Sequence, residues 1–311
     1  MKRHSHLTPR IAELDNLLLA FRKACRGKQE KTEVKEYHLH LMDNLRALRQ
    51  QILTGEVDVG HYHYFTIYDP KERVICAASF GERVLHHAIM NVCHESFDRC
   101  LIDNTFATRI GKGTYSALDH AVKTASRYTW LAKLDVRKYY DTLLKMFFRI
   151  IDSYHHTPGY GLPIGNLTSQ YFANAYLCAL DHLAQERWGA RGYTRYMDDI
   201  VFGADDKNVI REICDKMACY ASEELELTMK PPVLHRSAVG MPFLGYRVLP
   251  YRYVLSGRSK RRFRSRLLQA ERQLSEGKWT QEEYASHVVP LTAFVCHGET
   301  RKFRQSCLAL I

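Results

Sequence analysis

No run of eighteen apolar residues occurs in the 311-residue chain, so no segment is expected to cross a membrane as a helix. The opening stretch, MKRHSHLTPR, follows its charges with no apolar run and does not read as a secretory leader. Cys-x-x-Cys pairs are missing too. The nine cysteines are odd in number and scattered, which predicts reduced thiols in a cytoplasmic protein and no disulfide framework. Of the sixteen histidines, HYH at 61–63 and HH at 86–87 and 155–156 lack companion ligands at zinc spacing; surface or packing roles are expected. Repeats and low-complexity tracts are absent. Acid is the scarcer charge: 34 Asp and Glu stand against 45 Lys and Arg, a formal +11 and a pI near 9.2. Such a surplus favours a polyanionic partner, either nucleic acid or an acidic membrane surface.

What is present is a mixture of helical and strand patterns. With 46% hydrophobic residues the chain can bury a sizeable core, and its length suggests two or three subdomains. Residues 11–53 carry helical periodicity in two pieces, IAELDNLLLAFRKA and YHLHLMDNLRALRQQIL, broken by CRGKQEKTE. YHYFTIYDPKERVICAAS reads as two strands about a turn at Asp69-Pro70-Lys71. A helix is expected from Glu82 to Phe97, another over 169–188, and a third over KNVIREICDKMACYASEEL. TWLAKLDVRKYYD begins as a short buried strand and is expected to run into a helix near Thr142. FLGYRVLP and YRYVLS suggest a hairpin about Pro250, and a basic helical region opens at Gly257 with GRSKRRFRSR. Helices alternating with antiparallel hairpins predict an α+β fold.

Between two of those helices, residues 195–203 read RYMDDIVFG. Asp is a good turn residue, so a plain hairpin turn accounts for the pair. Adjacent carboxylates at a turn tip also suit a divalent cation, which cancels their repulsion. Asp135 bears on that choice, because it ends the apolar strand TWLAKL. If that strand lies beside the RYMDD hairpin, Asp135, Asp198 and Asp199 converge on one face. Three carboxylates without a cation carry a large repulsive and desolvation cost. Mg²⁺, an oxygen-seeking ion that keeps water and phosphate ligands, suits such a set.

Several ordered stretches resemble the motifs of reverse transcriptases. LDVRKYYD resembles the first catalytic block, GLPIGNLTSQ the template and nucleotide block, and YMDD the second catalytic block; ELTMKP and FLGYRV resemble the motifs that follow. The resemblance implies a right-hand polymerase: an N-terminal helical extension over 1–60, fingers and palm over 61–255, and a short basic helical thumb over 256–311. It implies that Asp135, Asp198 and Asp199, with the carbonyl of Val136, hold two Mg²⁺ ions, Mn²⁺ being a possible substitute. Tyr140 matches the steric gate against a ribose 2′-hydroxyl, with core packing as the alternative. Lys71 and Arg73 match the grip on the incoming triphosphate, with a solvated charge as the rival. Arg109 would hold template or triphosphate. In ELTMKP, Lys230 would protonate the leaving pyrophosphate. The stretch over 111–114, GKGT, is not a P-loop, since GxxxxGK[ST] is absent.

GLPIGNLTSQ also suggests which kind of reverse transcriptase is resembled. Many members have Gln where Ile164 stands, and Ser-Pro where this chain has Ser169-Gln170. Gly165 and its neighbours allow close backbone approach to a nucleotide, and Ile164 and Gln170 fall in the same block. An aliphatic residue with GNLTSQ and then FANAYL resembles diversity-generating retroelements, whose enzymes copy a template RNA with errors at adenines. A retron-type or phage-defence enzyme is the alternative, and a non-catalytic nucleic-acid-binding scaffold stays open. The implied partners are dNTPs, template RNA, the RNA/cDNA duplex and a small basic helical accessory protein that forms a ring. Ile11 to Leu53 is the candidate docking surface for that protein. Lys260, Arg261, Arg262, Arg264 and Arg266 are expected along the primer–template backbone.

Overall fold

A computed structural model of the chain describes residues 7–68, 72–137 and 166–308. The Asp69-Pro70-Lys71 turn, Tyr140, the helix expected near Thr142, His155-His156, Ile164 and Gly165 lie outside the described residues. Contacts divide the chain into two compact units, one holding the described residues within 1–102 and 138–181, the other those within 103–137 and 182–311.

In the first unit the apolar stripes of four helices close on one another: α1 (Leu7–Ile11), α2 (Leu14–Cys25), α3 (Thr32–Leu39) and α4 (Leu41–Thr54). The second expected helical piece is thus two helices, parted at His40. An antiparallel hairpin follows, β1 (Tyr62–Tyr68) with β2 (Glu72–Ala78), in register from Tyr62 opposite Ala78 to Tyr68 opposite Glu72. Its neighbour α5 (Phe80–Cys100) overruns the expected span at both ends, and at its start the Ser79 hydroxyl accepts the Glu82 N–H at 3.3 Å. Leu17, Phe21, Leu45, Leu48, Ile52, Val84 and Leu85 form this unit's core.

The chain next supplies α6 (Thr114–Arg127) and β3 (Trp130–Arg137) to the second unit, then α7 (Leu167–Tyr176) to the first, and then α8 (Cys178–His182). The single helix expected over 169–188 is in fact α7, α8 and a π-helical turn, Leu183–Arg187, closed by the Trp188 N–H on the Leu183 carbonyl at 2.9 Å. The apolar spacing survives such a break, which is why periodicity alone misses it.

The rest belongs to the second unit. Its main sheet gathers β4 (Arg191–Tyr196), β5 (Asp199–Ala204), β6 (Thr228–Met229) and β7 (Val233–Arg236) about β3, in the order β4-β5-β3-β6, with β7 also on β3 and every named pairing antiparallel. Helix α9 (Lys207–Glu223) begins at an Asp206 cap whose carboxylate takes the Asn208 N–H at 2.7 Å. A second sheet, β8 (Met241–Phe243), β9 (Tyr246–Leu249) and β10 (Arg252–Leu255), holds the hairpin expected about Pro250 and one more, turned at Leu244-Gly245 with φ of 47° and 85°. Helices α10 (Gly257–Ser275), α11 (Gln281–Val295) and α12 (Arg301–Leu308) follow. Leu118, Leu131, Val201, Phe243, Tyr246, Phe263, Leu267 and Phe303 share one core.

Two glycines let α6 lie close on the sheet. Gly192 has φ 59° and Thr124 Oγ1 donates to its carbonyl at 2.9 Å; a Cβ there would stand 2.5 Å from the Thr124 side chain. Gly203 leaves the same kind of room for Tyr128, whose Cδ2 would be 2.8 Å from an added Cβ. Gly192→Ala meets both the steric and the left-handed penalty, and is expected to destabilise the unit by about 2 kcal/mol in urea denaturation.

Candidate active site

Strand β3 lies beside β5, and the register sets Asp135 directly opposite Asp199. Directly opposed residues share a face with Cβ atoms about 5 Å apart, so the two carboxylates face the same way. β4 and β5 are joined by a two-residue turn, Met197-Asp198, with Tyr196 opposite Asp199. Met197 takes φ 55°, and the Asp198 carbonyl accepts the Val136 N–H at 3.3 Å, which fixes the turn against the end of β3. Val136 itself is buried.

Electrostatics follow from this crowding. Burial, then Asp199, then Asp135 push the Asp198 carboxyl up to about 6, against a smaller downward pull from Lys230. Two lysines answer the negative charge. Lys230 Nζ stands 2.5 Å from Asp135 Oδ1 and its N–H donates to the Asp135 carbonyl at 2.9 Å, while Lys133 Nζ stands 2.9 Å from Asp199 Oδ1. With two carboxylates turned to ammonium groups, no set of three His, Cys, Asp or Glu among the described residues forms a ready cation cage. The donor chemistry nevertheless fits a hard divalent ion. Three carboxylates share one end of a sheet, one of them is pushed up by burial and by its carboxylate neighbours, and the present counter-charges sit on side chains that can swing away.

Arg195 is the residue the sequence reading missed. Its side chain is fully buried, Nη1 donates to the Met197 carbonyl at 3.1 Å, and its backbone pairs with Asn104 and Phe106 at 2.9 Å each. A cation is thereby built into the base of the turn that carries Asp198. Strand phase gives no signal for it, because Thr194, on the opposite side of the strand, is as fully buried as Tyr193 and Arg195. Lys133 was missed as well, being an unexceptional lysine on an otherwise apolar strand.

Other expected residues are more scattered. Arg73 is exposed on β2, opposite Ile67. Gln170 is half-buried on α7. Both belong to the first unit. Arg109, in the second unit, donates from Nη1 to the Thr105 carbonyl at 3.3 Å and to Thr105 Oγ1 at 2.9 Å. On α10 the basic residues divide. Lys260 and Arg264, one turn apart, lie over the Phe303 ring at 5.7 and 5.3 Å, and Arg264 also reaches Ser306 Oγ at 3.2 Å. Arg261 and Arg262 are exposed, and Arg266 is half-buried. The buried face of this helix is Phe263, Leu267 and Ala270.

None of the nine cysteines is joined in a disulfide. Among the described residues no helix is long and apolar enough to cross a membrane.

No family model matches the chain, and no curated protein matches its sequence. Among solved structures it is similar to a chain of a partial Cas6-RT-Cas1–Cas2 complex, at 15% identity and a TM-score of 0.41, over 72% of this chain and 44% of that one. It is similar to the same degree to a chain of a Cas6-RT-Cas1–Cas2 complex, of which 27% is covered. The chain therefore spans less than half the length of either.

Proposed function

We propose that this chain is an RNA-directed DNA polymerase of right-hand form. The observation that carries the reading is the register of β3 on β5, which sets Asp135 opposite Asp199 with Asp198 in the adjoining turn. The ordered motifs from LDVRKYYD to FLGYRV support it from the sequence side. Asp135, Asp198, Asp199 and the carbonyl of Val136 would hold two Mg²⁺ ions, with Mn²⁺ as a substitute. When bound, such ions supply Lewis acidity to the attacking 3′-hydroxyl and to the leaving pyrophosphate. The new bond joins the primer 3′-oxygen to the α-phosphorus; the bond to the pyrophosphate oxygen breaks, and the hydroxyl proton passes to solvent water. Lys230, freed from Asp135, donates a proton to that departing pyrophosphate. By the resemblance of their motifs, Lys71, Arg73 and Arg109 would take phosphate, Tyr140 would oppose a ribose 2′-hydroxyl, and Ile164, Gly165 and Gln170 would belong to the template and nucleotide block. Purified protein given an RNA template, a DNA primer, Mg²⁺ and dNTPs is expected to extend the primer. No extension on any RNA template, with Mg²⁺ or Mn²⁺, counts against the reading.

The finer reading is a diversity-generating enzyme that miscopies template adenines. It rests on GLPIGNLTSQ and FANAYL. Ile164 offers shape but no hydrogen bond where Gln would, a loss worth about 1 kcal/mol, which permits a severalfold change in error ratio. Sequenced cDNA should carry substitutions concentrated opposite adenine; errors spread evenly over the four bases would leave the retron or phage-defence alternative. A basic accessory protein would dock on the Ile11 to Leu53 region, where Leu19, Leu39 and Leu53 remain exposed.

The divided character of α10 gives a sharper expectation for primer–template binding. Arg261→Ala should leave stability within about 0.5 kcal/mol of the parent yet make the salt dependence of duplex binding shallower by about 0.7–0.9. Lys260→Ala or Arg264→Ala should instead lower stability by about 0.5–1 kcal/mol, through the lost contact with Phe303. Denaturation and salt-titrated binding of the three variants separate the two roles.

A further inference from the structure

The end of β3 away from Asp135 carries a second concentration of chemistry. Trp130 opens the strand, five residues before Asp135, which puts the two ends about 16 Å apart. Arg236 of β7 and Ala204 of β5 lie opposite Trp130 in register. Lys207 Nζ sits 5.1 Å and the Arg236 guanidinium 5.2 Å from the Trp130 ring centre, and Arg127 lies 5.6 Å from that of Tyr128. Two open clefts meet on this surface. One, about 690 Å³, is lined by Arg127, Tyr128, Gln185, Glu186, Arg191 and Gly192 among others; the second, about 570 Å³, shares Arg127 and Tyr128 and adds Trp130, Arg236 and Pro250.

The cations here stand without acid partners, unlike Lys216 with Glu212, Arg252 with Glu299 and Lys278 with Glu276. Among the described residues none of Arg127, Arg191, Lys207 and Arg236 has a carboxylate within 4.0 Å. Among the described lining residues Glu186 is the one carboxylate, already held by His182 Nδ1 at 2.6 Å, and Asp205 beside the second cleft accepts from the N–H and Oγ1 of Thr129 at 3.1 Å each. Arginines laid on aromatic rings are preorganised, so less side-chain freedom is lost when they take a phosphate, and their planes offer surfaces for an unpaired base.

We infer that this surface is a second nucleic-acid site, for single-stranded RNA, separate from the carboxylate end of the sheet. An unpaired strand supplies both the phosphates that Arg127, Arg191, Lys207 and Arg236 attract and the exposed bases that a duplex would hide from the Tyr128 and Trp130 region. The inference does not depend on polymerase activity, because binding is read directly. In the enzyme proposed above, such a site would retain template-strand RNA outside the copied segment.

The test uses a fluorescent oligouridylate carrying 4-thiouridine, titrated against the full chain and against the combined variant Arg127→Gln, Arg191→Gln, Arg236→Gln. Affinity should fall at least about tenfold, and the salt slope should become shallower by about 2, as expected for three lost phosphate contacts. Cross-links should map to the 125–130 and 236–238 peptides in the parent and vanish in the variant, while any extension of a short primer–template stays unchanged. Arg191→Gln alone, at an exposed position, serves where the combined variant does not fold; it should lower the slope by about 0.7. Unchanged affinity and slope, cross-links confined to α10 and the carboxylate end, or displacement of the RNA by polyglutamate as readily as by unlabelled RNA would overturn the inference.

Discussion

Asp198→Asn is expected to make the protein more stable at neutral pH in metal-free buffer while lowering nucleotidyl transfer at least about a hundredfold. The two effects share one cause. The Asp198 carboxyl is raised from an ordinary value of 3.8 to about 6, first by burial and then by Asp199 and Asp135. An acid whose folded pKa lies above its unfolded one favours folding most below the unfolded value, and that contribution fades as pH rises through the folded value. Wild type should therefore lose stability between about pH 4 and pH 6, by up to about 3 kcal/mol and by less where water screens the partly exposed turn. Asn keeps the shape and cannot ionise. Urea denaturation with a chelator should show the variant about 1–3 kcal/mol more stable at pH 8 and equal to wild type below about pH 4. Added Mg²⁺ should reverse the order at pH 8, since an ion held a hundredfold above its Kd stabilises wild type by about 2.7 kcal/mol. An Asn variant less stable than wild type in chelator at pH 8 would mean that the carboxylates do not repel as described.

Arg195→Met should destabilise the second unit by about 1–3 kcal/mol. Methionine keeps only the apolar stem of the side chain and leaves the Met197 carbonyl without the Arg195 Nη1 donor. The left-handed Met197 then has less to hold it, and Asp198 loses its fixed place beside Val136. The urea midpoint should fall with an unchanged m value, and amide exchange should quicken at β4 and β5 before the rest of the sheet. A variant within about 1 kcal/mol of wild type would remove Arg195 from the account of the turn.

What could be read from the sequence follows the reach of each signal. TWLAKLD and RYMDDIVFG carried enough apolar alternation to be recognised as strands, and the hairpin pins Asp198 and Asp199 by itself. That Asp135 faces Asp199 could only be conditional, because the β3–β5 pairing joins residues some sixty positions apart and no local pattern encodes it. The lysines at the site were opaque for the same reason. Lys133 reads as a strand interruption and Lys230 as a strand-end charge until the sheet brings each to a carboxylate. On α10, composition announced a basic helix, but only the α12 partner Phe303 separates the cations laid on its ring from the others. The π-helical turn at Leu183–Arg187 leaves the apolar spacing nearly intact, so it was read as continuous helix.

The central claim, that Asp135, Asp198 and Asp199 act together as a divalent-cation site, is tested most directly by iron-directed cleavage. Fe²⁺ takes the place of Mg²⁺ among oxygen ligands, and with ascorbate and peroxide it generates radicals that cut the backbone beside the ion. Wild type should be cut within β3 near Asp135 and in the turn carrying Asp198, with both cuts suppressed by excess Mg²⁺ and lost in Asp198→Asn. Cuts elsewhere only, or cuts at these places that Asp198→Asn leaves untouched, would contradict the account.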